Sequence, residues 1–318
     1  MKNFKEVNFI VGMPRGGTTW MSRCLNNHSK IASFGESCFF GRNSVNKEIY
    51  DQADVTEVMD KMAKTVVGSY TIDIEGGIVK DIRAEISKLK APVAKKEVFD
   101  AMIRAIVNIT DKDIVMEKTP HHVEYVGKIR AYYPNSKFIV MQRDPKGFML
   151  SQKSIHLIKA KEVQKYIKGM YHPLICMLNY KRYENSLATA LQYDNTILVK
   201  TSEIGEEPQK VLDKVQSFLN VEAEDIIAAK INSSNVKHKD RELRLEDRLW
   251  YNIFSSEKDV QVNFLEWLVS PFVLLFSLLK LPKWLFGAYR SIKITGAMNP
   301  ISYLFGALMR SFKSKASA

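Results

Sequence analysis

The run Gly12-Met13-Pro14-Arg15-Gly16-Gly17-Thr18-Thr19-Trp20 has the residue types and spacing to hold an anion. Glycines let a backbone approach anionic oxygens with no Cβ in the way. A strand that turns into a helix there aims N–H groups and the positive end of the helix dipole at the same point. Gly12 and Gly17 keep the spacing of the nucleotide loop GxxxxGK[ST], but Thr18 stands where its lysine belongs, which argues against ordinary ATPase or kinase chemistry. The nearest cation is Arg15, inside the loop. A second anion device follows Phe138-Ile139-Val140-Met141-Gln142, where Arg143 ends an apolar run and Ser151 stands eight positions on. The guanidinium fork matches a phosphate, and a hydroxyl two helical turns along can reach the same anion. Two segments could move a proton or stabilise charge. Lys118 sits in Glu117-Lys118-Thr119-Pro120 with His121 just after, and Glu36 follows the run Ile31–Phe34. Lys118 is a second cation for the reacting group, unless it is a surface lysine paired with Glu124. Glu36 is a base candidate, unless it only caps a helix, and His121 is its rival.

These residues need a scaffold that gathers them at one edge. Short apolar, β-branched runs alternate with helical patterns. Asn8–Val11 precedes a helix from about Gly17 to Asn27, and Ile114–Met116 precedes one from His121 to Tyr132. Phe138–Met141 and Ile197–Val199 are each followed by a helix, after Pro145 and Pro208. The order predicts an α/β fold, a parallel sheet flanked by helices, with ligands bound at the C-terminal ends of the strands. Residues 42–113 read as a mostly helical insertion between strands, able to select what binds at that edge.

With the motifs in hand, the chain resembles the sulfotransferases that use 3′-phosphoadenosine 5′-phosphosulfate. The resemblance runs from about residue 7 to 245, leaving out 42–113. It implies a P-loop-type fold. The loop of Arg15, Gly16, Gly17, Thr18, Thr19 and Trp20 would hold the 5′-phosphosulfate, and Arg143 with Ser151 would hold the 3′-phosphate. Lys118 matches the lysine of the family's Lys-Thr-Pro or Lys-Thr-His motif. Glu36 is similar in position to the base of the tyrosylprotein and heparan sulfate types, which lies roughly twenty residues past the loop's basic residue. Cytosolic members place a histidine directly after Lys-Thr; here Pro120 takes that place and His121 is displaced by one. Lys239, in a basic segment from Val236 to Arg241, falls where the family closes a loop over the 3′-phosphate, although the glycine common there is missing. The resemblance implies a carbohydrate, lipid or other small-molecule acceptor and no metal. Two other readings remain open: a P-loop phosphotransferase, and a non-catalytic, membrane-docked nucleotide-binding protein.

Composition bounds the rest. In 318 residues, 46% are hydrophobic and 26% charged, enough for a domain of residues 1–255 with a large core. Cys24, Cys38 and Cys176 form no CxxC pair, so neither a disulfide framework nor a zinc site is indicated. With no secretory apolar region legible, the expected location is cytoplasmic, and a homodimer stays open. The net charge is +12, yet no zinc-finger, RRM or basic-zipper pattern points to nucleic acid. Residues 256–318 form a basic, apolar, helical extension. Past Glu266 the chain has no acid but carries Lys280, Lys283, Arg290, Lys293, Arg310, Lys313 and Lys315. The uncharged run Trp267–Leu279, broken by Pro271, is shorter than the ~20 residues of a spanning helix. That predicts helices lying on an anionic membrane surface through 264–315, or packing on the protein or on a second subunit.

Overall fold

A computed structural model describes residues 4, 6–41, 43–44, 46–67, 77–112, 114–154, 171–227, 242–257 and 259–295. The chain divides into two compact units, residues 1–142 with 186–231, and residues 143–185 with 232–318.

The first unit is built on a parallel sheet, five-stranded among the described residues. Its strands are β1 (Glu6–Gly12), β2 (Ile31–Gly35), β5 (Ile114–Lys118), β6 (Phe138–Gln142) and β7 (Thr196–Lys200), in the order β2-β5-β1-β6-β7. These runs are apolar on both faces because both faces are covered. Alternation sends Ile10, Ile114, Met116, Ile139 and Met141 to one face. There they pack on Met21, Cys24 and Leu25 of α1 (Thr18–Asn27) and on Val211, Leu212, Val215 and Leu219 of α9 (Pro208–Leu219). The opposite face is aromatic: Phe9 stacks on Phe138 at 5.3 Å and on Phe99 at 6.2 Å, and Phe40 meets Phe99 at 4.9 Å. Phe99 comes from α4 (Lys95–Thr110), whose buried residues recur at helical spacing.

The strands and helices follow the order expected from the sequence, with two differences. The segment read as one helix from His121 is a 3-10 turn, Pro120–Tyr125, that runs into α5 (Val126–Tyr132). The tighter turn, with His122 N–H donating to Thr119 O at 3.0 Å, brings His122 inward to a buried carboxylate. Second, the 42–113 segment holds a short antiparallel pair, β3 (Ile49–Tyr50) with β4 (Val93–Ala94), beside α2 (Gln52–Val67), α3 (Gly77–Ser87) and α4. Two-residue strands are too short for alternation to reveal them. α8 (Thr201–Glu206) follows β7.

The second unit is helical among the described residues. It contains α6 (Pro145–Lys153), the first part of α7 (Pro173–Ala190), α10 (Leu245–Phe254), α11 (Phe264–Leu279) and α12 (Leu281–Thr295). Asp247 is its buried polar centre: its carboxylate meets Lys153 Nζ at 2.9 Å and accepts from Tyr171 OH at 2.7 Å and from Arg244 N–H at 3.0 Å. Phe148 packs edge-on to Tyr180 at 5.6 Å.

Candidate active site

β1 ends in a residue that has to be glycine. Gly12 has φ 135°, and a Cβ built on it would lie 2.2 Å from Met141 O. That closeness lets Met13 N–H donate to Met141 O at 2.9 Å, extending the β1–β6 ladder into the turn. Gly16 N–H then donates to Met13 O at 3.0 Å, and the chain enters α1 through Gly17, at φ 90°. Arg15 is also left-handed, at φ 67°, a conformation that non-glycine residues seldom hold and that concentrates at functional sites. Gly17 is the N-cap of α1 and has no side chain to cap with, and the first turn carries no acid. The first-turn N–H groups and the dipole are thus left for an anion. Burial pushes the Arg15 guanidinium below the ordinary arginine pKa, a desolvation cost that an adjacent anion offsets. Thr18 is buried and Thr19 half-buried, while Trp20 packs against the apolar core under the sheet. Thr201 was not anticipated. Its Oγ1 lies 3.2 Å from Gly16 O and 2.9 Å from Gln142 O, tethering the loop to the start of α8.

At the same strand edge, β2 and β1 flank β5, with Lys118 in register with Gly35 on one side and Ile10 on the other. Glu36 is one residue beyond Gly35, about two interstrand spacings, roughly 10 Å, from the β1 line that leads into the loop. Lys118 Nζ donates to Glu36 Oε1 at 2.9 Å. The lysine side chain is 3% exposed and the glutamate 38%. The surface pairing of Lys118 with Glu124 is therefore replaced by a buried cation whose ion partner is Glu36. Among the described residues Glu36 makes no other hydrogen bond or ion pair, which leaves Oε2 with a lone pair to offer. His121 is exposed on the 3-10 turn.

Behind Lys118 lies a network that sequence reading missed. Glu117, on the aromatic face of β5, is fully buried. It accepts from Ser37 N–H at 3.0 Å, Ser37 Oγ at 2.7 Å, Thr119 Oγ1 at 2.5 Å and His122 Nδ1 at 2.9 Å. Phe40 N–H donates to His122 Nε2 at 3.2 Å, which places the neutral ring's proton on Nδ1. Burial alone would push the Glu117 carboxyl up; interaction with His122 and the hydrogen bonds from His122, Thr119 and Ser37 outweigh it and hold the carboxyl below its usual pKa. The network pins Ser37 and Thr119, the neighbours of Glu36 and Lys118. The legible signal was an acid inside an otherwise apolar parallel strand. Because the folded pKa is depressed, Glu117 contributes stability above its unfolded pKa, near 4.3, and that stability is lost as pH falls through the folded value. Glu117→Ala should lower unfolding free energy by about 3–5 kcal/mol, and Glu117→Gln should flatten the acid slope, both read by urea unfolding from pH 7 to 3.

In the second unit, Arg143 and Asp144 lead into α6. Asp144 is its N-cap and accepts from Gly147 N–H at 2.5 Å. Gly147 is packed so closely that a Cβ there would lie 2.6 Å from Asp144 Oδ2 and 2.9 Å from Arg143 Nε. Ser151 is half-buried on the same helix. Lys239 lies outside the described residues. The three cysteines are buried and form no disulfide, and among the described residues no group of three or more His, Cys, Asp or Glu could hold a metal ion.

The fold and site are those of a parallel α/β protein whose first strand ends in a glycine-rich, lysine-free loop, with a glutamate and a buried lysine at the same sheet edge. The chain belongs to the sulfotransferase family, whose model matches residues 8–225. A curated relative, an uncharacterized protein of Aquifex aeolicus (strain VF5), is 24% identical over 140 residues. That match covers 44% of this chain, and the chain spans about a sixth (16%) of the relative's length. Among solved structures, the sulfotransferase domain from the Synechococcus PCC 7002 olefin synthase is similar at 15% identity and TM-score 0.47, covering 87% of this chain and 96% of that one. A sulfotransferase from Alicyclobacillus acidocaldarius is similar at 17% identity and TM-score 0.48, covering 79% and 91%.

Proposed function

We propose that this chain moves a sulfuryl group from 3′-phosphoadenosine 5′-phosphosulfate to a hydroxyl of a carbohydrate, lipid or other small-molecule acceptor. The observation that carries the reading is the Glu36–Lys118 pair beside a phosphate loop that lacks the Walker lysine. The acceptor oxygen attacks sulfur in line, and its proton passes to Glu36 Oε2. The bond between sulfur and the bridging oxygen of the 5′-phosphate breaks, and its electron pair stays on that oxygen. Arg15 and the N–H groups that open α1 stabilise the charge developing there. Lys118 holds the Glu36 carboxylate by one oxygen, which leaves the other free for the acceptor proton, and it adds positive charge near the transferring group. The resemblance assigns the 3′-phosphate to Arg143 and Ser151. Incubating the full chain with donor labelled on sulfur and a cell extract should yield a labelled product that is missing for Arg15→Ala. An unlabelled extract with the intact chain would overturn the reading.

A further inference from the structure

We propose that α11 and α12 dock this chain on the surface of an anionic phospholipid membrane. α11 is apolar nearly all round, yet only one narrow stripe of it is covered. Asn263 caps it, and Glu266 near its start is gripped by both terminal nitrogens of Arg248 of α10. Ser277 near its end accepts from Trp250 Nε1 at 2.9 Å and offers its carbonyl to His172 at 2.9 Å, and Lys280 pairs with Glu246 at 2.8 Å. The rest of the helix presents Phe264, Trp267, Leu268, Phe272, Phe276 and Leu279 to solvent, with Phe272 65% exposed and Phe276 63%. α12 follows after Lys280 alone and continues the face with Leu285 and Phe286, beside the exposed Lys283.

Three observations choose the occupant. By length and composition the run Phe264–Gly287, 24 residues, could cross a membrane. Its ties decide otherwise, because both ends of α11 are bound to α10. Crossing would carry the Arg248–Glu266 and Lys280–Glu246 pairs into hydrocarbon. α11 itself, 16 residues, is about 24 Å long, short of a hydrocarbon core of ~30 Å. A second copy of the same face fits no better. An isologous contact would set against its own image a helix pair whose second member, α12, carries Lys283, Arg290 and Lys293 and no acid. Anionic headgroups match those cations, and an aromatic-rich apolar face matches the headgroup–acyl boundary.

The test is sedimentation of the full chain with vesicles of phosphatidylcholine alone, or with about 30% phosphatidylglycerol added. The expected result is strong binding to the anionic vesicles only, lost at high salt and released by alkaline carbonate. The double variant Phe272→Glu, Phe276→Glu alters two exposed positions and leaves the Ser277 contacts in place. It should keep its circular dichroism and bind about a hundredfold more weakly. Four outcomes would overturn the proposal: equal binding to both vesicle types, retention through carbonate, a dimer broken by the double variant without vesicle binding, or binding that needs removal of residues 296–318.

Discussion

Glu36→Gln is expected to lower kcat by about 10²–10⁴-fold, the range for loss of a positioned general base, with affinity for the donor product changed by less than about twofold. The prediction rests on what glutamine keeps and what it removes. The amide oxygen can still accept from Lys118 Nζ, now 2.9 Å from Glu36 Oε1, so the buried cation is not stranded and the strand edge keeps its shape. What disappears is the second carboxylate oxygen, the one proposed to take the acceptor's proton. The proposed donor contacts belong to the loop and stay intact. Single-turnover transfer, with binding of 3′-phosphoadenosine 5′-phosphate measured alongside, separates the two effects. A kcat that survives Glu36→Gln but falls in His121→Ala would move the base to the exposed histidine. Lys118→Met offers a contrasting outcome: it should free the Glu36 carboxylate to swing, lowering kcat while donor-product affinity stays within about twofold.

Gly12→Ala should destabilise the first unit by about 4 kcal/mol, at the upper end of single substitutions, read as a shift in the urea midpoint at constant slope. Two costs add at this position. A φ of 135° is closed to residues with a Cβ, and the Cβ would lie 2.2 Å from Met141 O and 2.6 Å from Met141 N, both backbone atoms of the adjacent strand. Neither can yield without pulling β1 from β6 at the point where Met13 N–H bonds Met141 O. The same shift would move Gly16 and Arg15, so any folded fraction should bind the donor product poorly. At Gly17 the obstacle is different. A Cβ there meets the flexible end of Ile204 at 3.1 Å, so the cost is mainly that of φ 90°.

Much of this arrangement was legible in the residues, because it depends on short-range rules. Five apolar runs became five parallel strands, since a strand covered on both faces must be apolar throughout. The loop was legible because its close approach to β6 at Gly12 and its entry into α1 at Gly17 both call for glycine. Glu36 and Lys118 could each be placed at a strand end, but their pairing could not be read. It follows from β2 lying next to β5, an order that depends on long-range topology. The Glu117 network was hidden for a related reason. Ser37, Thr119 and His122 look like ordinary loop residues until the strand order brings them around one buried carboxylate. The 3-10 turn that carries His122 inward departs from the simple helical pattern because that hydrogen bond sets its geometry. In the tail, composition gave an apolar, basic segment, and only the contacts of Glu266 and Ser277 with α10 revealed which stripe of α11 is covered.

The donor reading is tested most directly by equilibrium titration of the full chain with 3′-phosphoadenosine 5′-phosphate and, separately, with ADP. The 3′-phosphate adds charge-assisted hydrogen bonds, so the 3′-phosphorylated nucleotide is expected to bind about 10–100-fold more tightly. Arg143→Ala should bring it down to the ADP value, and Arg15→Ala should weaken both. Equal affinity for the two nucleotides, no binding of either, or an Arg143→Ala variant that keeps the full preference would contradict the assignment.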